Sequence, residues 1–285
     1  MRARDYPGSD ITIEQRLEAG SNYQRYIASY QSDGLKIYAL MTVPDGDKPA
    51  TGWPAVVFNH GYIQPSQYRT TERYVAYQDA LARAGYITFK SDYRGNGDSE
   101  GTPSGHFGPG YTVDVLNAVA SLKKYPDADA NRIGMWGHSL GGELTLRAMV
   151  VSKDIKAGVI WAGTVAPPSE QLGMWGGGSH TTGGPLSQLT QQYGTPQENP
   201  AFWASLSATS YLGYLLGPVQ LHHGEADQEV PLSWSQVLYD QIIQTGKVGE
   251  FYTYPGSDHN ISQGFDLAMQ RTIEFFDKYV KGNGR

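Results

Sequence analysis

At residues 134–143 the chain reads GMWGHSLGGE, with Ser139 set among glycines directly after a short apolar run. A serine hydroxyl becomes a useful nucleophile only when a base takes its proton, and a histidine base needs an acid to fix its ring. Two later stretches supply those types: HHGEADQEVP carries Asp227 and YPGSDHNIS carries His259. Together they point to acyl transfer through a covalent serine intermediate. The Gly-x-Ser-x-Gly pattern is weak by itself in a chain with 35 glycines. Context has to decide.

The context fits. RIGMW reads as a central strand and LGGELTLRAMV as a helix that starts immediately after Ser139, so the serine falls on a strand-to-helix corner. Such a corner forces unusual backbone angles and close approach, which Gly137 and Gly141 permit. The helix start adds unpaired N–H groups that favour a developing anion. A dinucleotide loop needs Gly-x-Gly-x-x-Gly in the first βαβ unit, and GHSLGG has other spacing.

Among the histidines, His259 follows a late strand and precedes the last helix, where a base belongs. His60 follows an early strand, His106 lies in a glycine-rich loop, His138 adjoins the serine, and His180 falls in an insertion. His222 and His223 precede any acid that chain order would give them. Asp227 lies a few residues beyond a strand, with Glu225 and Glu229 as neighbours, while Asp258 is too close to His259 in the chain to orient its ring. Ser139, Asp227, His259 is the order expected of a sheet enzyme with this elbow.

The elements that must hold these residues alternate. YQRYIASY and LKIYALMTV flank SDG and predict an antiparallel hairpin over 23–43 at a sheet edge, turning at Asp33-Gly34. WPAVVFNHG follows as a buried strand. Helical segments near 71–84, 111–124 and 140–151 lead into YITFKSD, RIGMWG and IKAGVIWAG. PVQLHHG leads into a helix near 232–245, and EFYTYPG into a last helix near 262–280. This is an α/β chain with a mostly parallel, doubly wound sheet. Residues 1–22 read as an N-terminal extension, and 23–285 as one domain.

Residues 163–215 interrupt the rhythm with six aromatics, two acidic residues and no lysine or arginine. A structureless loop of that length is improbable, so a small cap is expected, with short helices near 185–192 and 200–215. Its Trp175, Phe202, Trp203, Tyr211 and Tyr214 are candidates for covering an apolar acyl or aromatic group.

Composition excludes several classes. With 18% charged residues and a formal charge of −6, the chain is no polyelectrolyte and carries no broad nucleic-acid footprint. No apolar run is long enough for a membrane span. Cysteine is absent, which removes disulfides and thiolate chemistry. The basic first residues lack a signal-peptide apolar core, so the compartment stays open, with the cytoplasm favoured. A homo-oligomer is compatible with the sequence but not specified by it.

Taken in order, NHGY at 59–62, SDYRGNGDSEG at 91–101, GHSLGG, HHGEADQEVP and SDHN resemble the α/β-hydrolase fold family over about residues 23–280. Within it the chain is similar to the catalytic domain of the prolyl oligopeptidase group and to its dipeptidyl-aminopeptidase/acylaminoacyl-peptidase-like esterase relatives. The resemblance implies Ser139 as nucleophile, Asp227 as orienting acid and His259 as general base. It also implies backbone N–H groups of Tyr62 and Leu140 as the oxyanion hole, Arg94 as a structural anchor, and no metal or organic cofactor. The group's large peptidases carry a β-propeller and often a tyrosine side chain in the oxyanion loop, where His60 stands here. No acidic pair matches their α-amine clamp. These departures favour a small-molecule ester substrate, with short to medium acyl or aryl chains, over an aminopeptidase or acyl-peptide hydrolase substrate. A non-catalytic binding protein on the same scaffold is the alternative of another class.

Overall fold

The computed structural model describes residues 1–105, 107–175 and 185–282, apart from the side chains at 175 and 185–187. The elements are β1 (Thr12–Arg16), β2 (Tyr23–Ser32), β3 (Leu35–Pro44), β4 (Trp53–Asn59), α1 (Val75–Arg83), β5 (Ile87–Ser91), α2 (Gly110–Leu122), β6 (Ala128–His138), α3 (Leu140–Val151) and β7 (Ile155–Trp161). They continue with α4 (Pro168–Trp175), α5 (Pro185–Tyr193), α6 (Pro200–Leu206), β8 (Val219–Gly224), α7 (Leu232–Gln244), β9 (Gly249–Tyr254) and α8 (Phe265–Phe276). The strands form one sheet in the order β1-β2-β3-β5-β4-β6-β7-β8-β9. Pairing is antiparallel from β1 through β3 to β5 and parallel from β5 to β9. This is the α/β-hydrolase fold that the alternation of elements predicts.

The central strands β4, β6 and β7 are buried along most of their length because helices cover both faces. One core layer places Val115, Leu144 and Met149 of α2 and α3 against the sheet. The other gathers Phe58, Trp136 and Trp161 with Leu81 of α1 and Phe276 of α8. Phe58 and Trp136 stack across β4 and β6 with ring centroids 4.2 Å apart. The second half of β6, which leads into Ser139, is therefore enclosed from Ile133 to His138. Among the described residues, no helix is long and apolar enough to cross a membrane.

Three local expectations need correction. The hairpin turns at Asp33 (φ 54°) and Gly34 (φ 78°), both left-handed as its tight turn demands, but it is not the sheet edge. Thr12–Arg16 pairs with β2, Thr12 opposite Ser29 and Arg16 opposite Tyr26, and this all-exposed TIEQR strand carries no apolar alternation to announce it. Helix α1 begins at Val75, not near 71, because Arg73 and Tyr74 are left-handed at φ 56° and 55° and a right-handed helix cannot run through them. In residues 163–215, α5 stands where a helix is expected, α6 stops at Leu206 with a kinked 3₁₀ segment over Ala208–Tyr214 in place of its continuation to 215, and α4 is an additional helix.

Arg94 is an anchor, as expected. Its Nε lies 3.0 Å from Asp114 Oδ2 and its Nη2 lies 2.8 Å from Oδ1; its backbone N–H also reaches Oδ2, and Ser32 Oγ donates to Oδ1 at 2.7 Å. The loop after β5, the hairpin and α2 are thereby tied through one buried carboxylate. Burial pushes the Asp114 pKa up, opposed by Arg94 and Ser32. Replacing Arg94→Met strands that charge, and the expected cost is about 3 kcal/mol, measurable by urea unfolding at neutral pH. Asp114→Leu in the same chain should restore part of the loss.

Candidate active site

The geometry begins at the corner between β6 and α3. Ser139 has φ 55° and ψ −121°, a conformation rarely held by a residue with a side chain. Its N–H donates to the Trp161 carbonyl at 3.0 Å, and its own carbonyl accepts from Gly142 and Thr164 at 2.9 and 3.1 Å. A Cβ on Gly137 would enter the Gly141 carbonyl, and one on Gly141 would enter the Asn59 carbonyl. Both glycines are thus required by close backbone approach, as the sequence implies. Leu140 is the first residue of α3, so its N–H is one of those that a helix leaves without an internal partner.

Asp227 follows β8 on a short loop, with its side chain fully buried. Its Oδ2 lies 2.8 Å from His259 Nδ1 and 3.1 Å from His223 Nε2; its Oδ1 accepts from the N–H groups of Glu229 and Val230 at 2.8 and 3.0 Å. Burial raises the carboxyl pKa, but the bonds from His223, His259, Val230 and Glu229 outweigh it and hold the group well below the usual range. A charged carboxylate only accepts, so His259 carries its proton on Nδ1 and presents a lone pair at Nε2. That nitrogen lies 3.9 Å from Oε2 of Glu229, whose side chain is 71% exposed.

His223 is a participant that chain order hides. It is fully buried, bonds Ser235 Oγ through Nδ1 at 2.8 Å, and directs Nε2 at both Asp227 and the Val230 carbonyl. Its i, i+4 spacing to Asp227 in HHGEAD is the signal that was available. The other decoys are occupied elsewhere. Asp258 accepts from the N–H groups of Asn260 and Ser262, Glu225 accepts from Thr253, and His222 bonds Tyr254 and Gln220. Gly224 lets the acid and base loops meet, because a Cβ there would enter the carbonyls of Ser257 and Asp258.

The segment after β4 passes directly beside the serine. A Cβ on Gly61 would stand 3.2 Å from Ser139 Cβ. His60 Nδ1 donates to the Gly61 carbonyl at 2.7 Å, and the Gly61 N–H donates to Tyr74 Oη at 2.9 Å. Tyr62 projects a side chain that is 61% exposed. Tyr74 thus brings its hydroxyl to this loop.

The aromatics expected to cover the substrate sit differently. Trp203 is buried and donates from Nε1 to the Gly194 carbonyl at 3.0 Å, while Phe202 stacks on Tyr193 at 4.1 Å between centroids. Tyr211 lines a cavity of about 400 Å³ with Phe107, Arg147 and Val150. Tyr214 lies under the Arg2 guanidinium, 3.8 Å from its ring centre. Val150 is ten residues beyond Leu140, about 15 Å along the helix, so this cavity opens toward the far end of α3. The side chain of Trp175, along with His106 and His180, lies outside the described residues.

A serine on a strained strand-to-helix corner, with a histidine bonded to a buried aspartate in the right chain order, defines the serine-hydrolase class. The model of the prolyl oligopeptidase family matches residues 73–283, and the chain belongs to that family. A probable dipeptidyl-aminopeptidase B of Uncinocarpus reesii is 28% identical over 267 residues, covering 88% of this chain and 27% of that relative. The chain thus spans about a quarter of the length of that relative. Among solved structures, the Pyrococcus horikoshii acylaminoacyl peptidase superposes with a TM-score of 0.73 at 23% identity, covering 92% of this chain and 42% of that one. Est1E of Butyrivibrio proteoclasticus, solved with ferulic acid bound, gives 0.67 at 22% identity, covering 89% and 99%. Both structural likenesses are likenesses of fold.

The acid loop generates a pH prediction. Below about pH 4 an unfolded aspartate takes up a proton while Asp227 in the native state stays ionised, so stability falls as the pH drops toward the native pKa. Wild type should therefore lose stability more steeply than Asp227→Asn, by about 1.4 kcal/mol per pH unit. Urea unfolding at two pH values below 4 measures the difference in slope; equal slopes contradict it.

Proposed function

We propose that Ser139 is the nucleophile of an acyl-transfer cycle, His259 its general base and Asp227 the acid that holds the imidazole. The observation that carries this reading is the 2.8 Å bond between His259 Nδ1 and the buried Asp227 carboxylate, which places a ring hydrogen on Nδ1 and makes Nε2 the nitrogen available to the serine. His259 Nε2 takes the Ser139 proton as the oxygen attacks the substrate carbonyl. The backbone N–H groups of Tyr62 and Leu140 receive the resulting oxyanion. As the tetrahedral intermediate collapses, the proton on Nε2 passes to the leaving group, and an acyl ester remains on Ser139. Water then attacks the acyl ester, giving a proton to Nε2, and Nε2 returns that proton to the Ser139 oxygen as the acid is released.

For the substrate, an aminopeptidase or acyl-peptide hydrolase activity is the better supported choice. It departs from the ester preference drawn from the sequence. The curated relatives include proteins named probable dipeptidyl-aminopeptidase B, and the exposed Glu229 carboxylate lies 3.9 Å from His259 Nε2, where a cationic α-amine would be attracted. Short to medium acyl or aryl esters follow the same path with an alcohol as leaving group, so they serve as probes in either case.

Ser139→Ala, Asp227→Asn and His259→Ala should each reduce turnover by about 10⁴-fold or more, with the triple variant no worse than the serine variant, because the three act as a unit. On a panel of nitrophenyl esters and aminoacyl or dipeptidyl anilides, wild type should cleave anilides bearing a free α-amine. Glu229→Gln should raise KM for those anilides about fivefold, the scale of one exposed charge pair, and leave N-acylated analogues unchanged. Efficient ester turnover without anilide turnover would return the ester reading.

A further inference from the structure

Between the loop that carries Tyr62 and the loop that carries His259 runs a line of hydrogen bonds that the cycle above does not use. Tyr74 Oη accepts from the Gly61 N–H at 2.9 Å and lies 2.8 Å from His138 Nδ1; His138 Nε2 lies 3.0 Å from the His259 carbonyl. The protons in this line are fixed by chemistry. A carbonyl only accepts, so His138 carries hydrogen on Nε2. Burial holds the ring neutral by pushing its pKa down to about 3, which leaves a lone pair on Nδ1. The Tyr74 hydroxyl must therefore donate to His138. With its proton committed there, Tyr74 is no direct donor to an oxyanion.

We propose that Tyr74 and His138 are positioning residues which lock the oxyanion loop to the base loop, setting the Tyr62 N–H and His259 in register around Ser139. Two clamps support the role. The Gly61–Tyr62 peptide is held on its carbonyl side by His60 Nδ1 at 2.7 Å, and the peptide before it is held on its N–H side by Tyr74. The plane that presents the Tyr62 N–H is thus restrained from both ends of Gly61. Tyr74 itself is delivered by a strained turn: Arg73 and Tyr74 are both left-handed, and buried Lys90 donates to the carbonyls of Glu72 and Arg73 at 2.8 and 3.2 Å. Strain of this kind persists where surrounding bonds over-determine it.

The ring of Tyr74 packs on Phe58 and Trp136 with centroids 5.6 and 6.2 Å away, so Tyr74→Phe keeps the packing and removes only the hydroxyl. This inference rests on the proposed roles of Ser139, Tyr62 and His259. Activity on 4-nitrophenyl butyrate, normalised to sites titrated with a fluorophosphonate, separates lost fold from lost alignment. For Tyr74→Phe, kcat should fall about 10- to 100-fold, less than the loss of a whole oxyanion donor, with KM within about twofold. Affinity for an alkyl trifluoromethyl ketone, whose serine adduct carries the oxyanion, should fall in parallel with kcat/KM. His138→Gln, which can still accept from Tyr74 and donate to His259, should retain more activity than His138→Phe. The Tyr74→Phe/His138→Phe pair should be no worse than the poorer single variant. A purely structural role predicts fewer titrated sites with unchanged kcat per site. Tyr74→Phe within twofold of wild type, or losses that multiply in the double variant, overturns the relay while Ser139→Ala remains inactive. An active Ser139→Ala overturns the acyl-enzyme reading and the relay together.

Discussion

Everything at this site depends on a backbone that a serine would not adopt unaided. At φ 55° and ψ −121°, Ser139 occupies a region that costs of order 1–3 kcal/mol for a residue with a Cβ. It is kept there because β6 lies between β4 and β7 in the sheet, and because α3 packs so closely that Gly137 and Gly141 touch neighbouring carbonyls. Three backbone bonds, to Trp161, Gly142 and Thr164, leave the corner no alternative pairing. The strain is stored where the chemistry is proposed to occur, and the buried aromatic layer around Trp136 and Phe58 supplies the packing that sustains it.

The same corner explains why the acid and base come from loops. β6, β7, β8 and β9 run parallel in that order, so the loops that leave β8 and β9 emerge at the same end of the sheet as the corner that follows β6. Gly224 then lets those two loops touch through backbone contacts, with Ala226 N–H on the Ser257 carbonyl at 2.9 Å. Asp227 is satisfied four times over, and this keeps a buried charge tolerable. A carboxylate so firmly held does not compete for the proton of His259. Its effect is to fix one tautomer of the ring.

Much of this was legible in the chain because it is local or ordered. The glycine spacing around Ser139 and the Asp33-Gly34 turn follow from rules that act within a few residues, and the serine, aspartate, histidine order follows from the order of the strands. What was hidden depends on partners far away in sequence. TIEQR becomes a strand only because β2 offers it an edge, and α1 starts late because Lys90, on the next strand, holds the carbonyls of a left-handed turn. His223 looked spent because it precedes the acid, yet the fold returns its Nε2 to Asp227. The helix expected near 185–192 is met by α5, and the one expected near 200–215 only as far as Leu206, but neither expectation says which way Phe202 and Tyr214 face. Those rings pair with Tyr193 and Arg2.

The abundance of histidine near Ser139 makes the selection of one base a question of solvation. His60, His138 and His222 are enclosed, and burial drives each imidazole down to about 3, so each stays neutral through the physiological range. Their bonds also commit them to fixed tasks: His60 to the Gly61 carbonyl, His138 to Tyr74 and the His259 carbonyl, His222 to Tyr254 and Gln220. His223 spends both nitrogens on Ser235, Val230 and Asp227. His259 differs because its Nδ1 is held by the Asp227 carboxylate, while its Nε2 faces the exposed Glu229 carboxylate at 3.9 Å. A ring that is to gain and lose a proton in each half of the cycle needs a counter-charge on one side and a nitrogen not committed to another bond on the other. Among the described histidines, the bonds of His259 provide both.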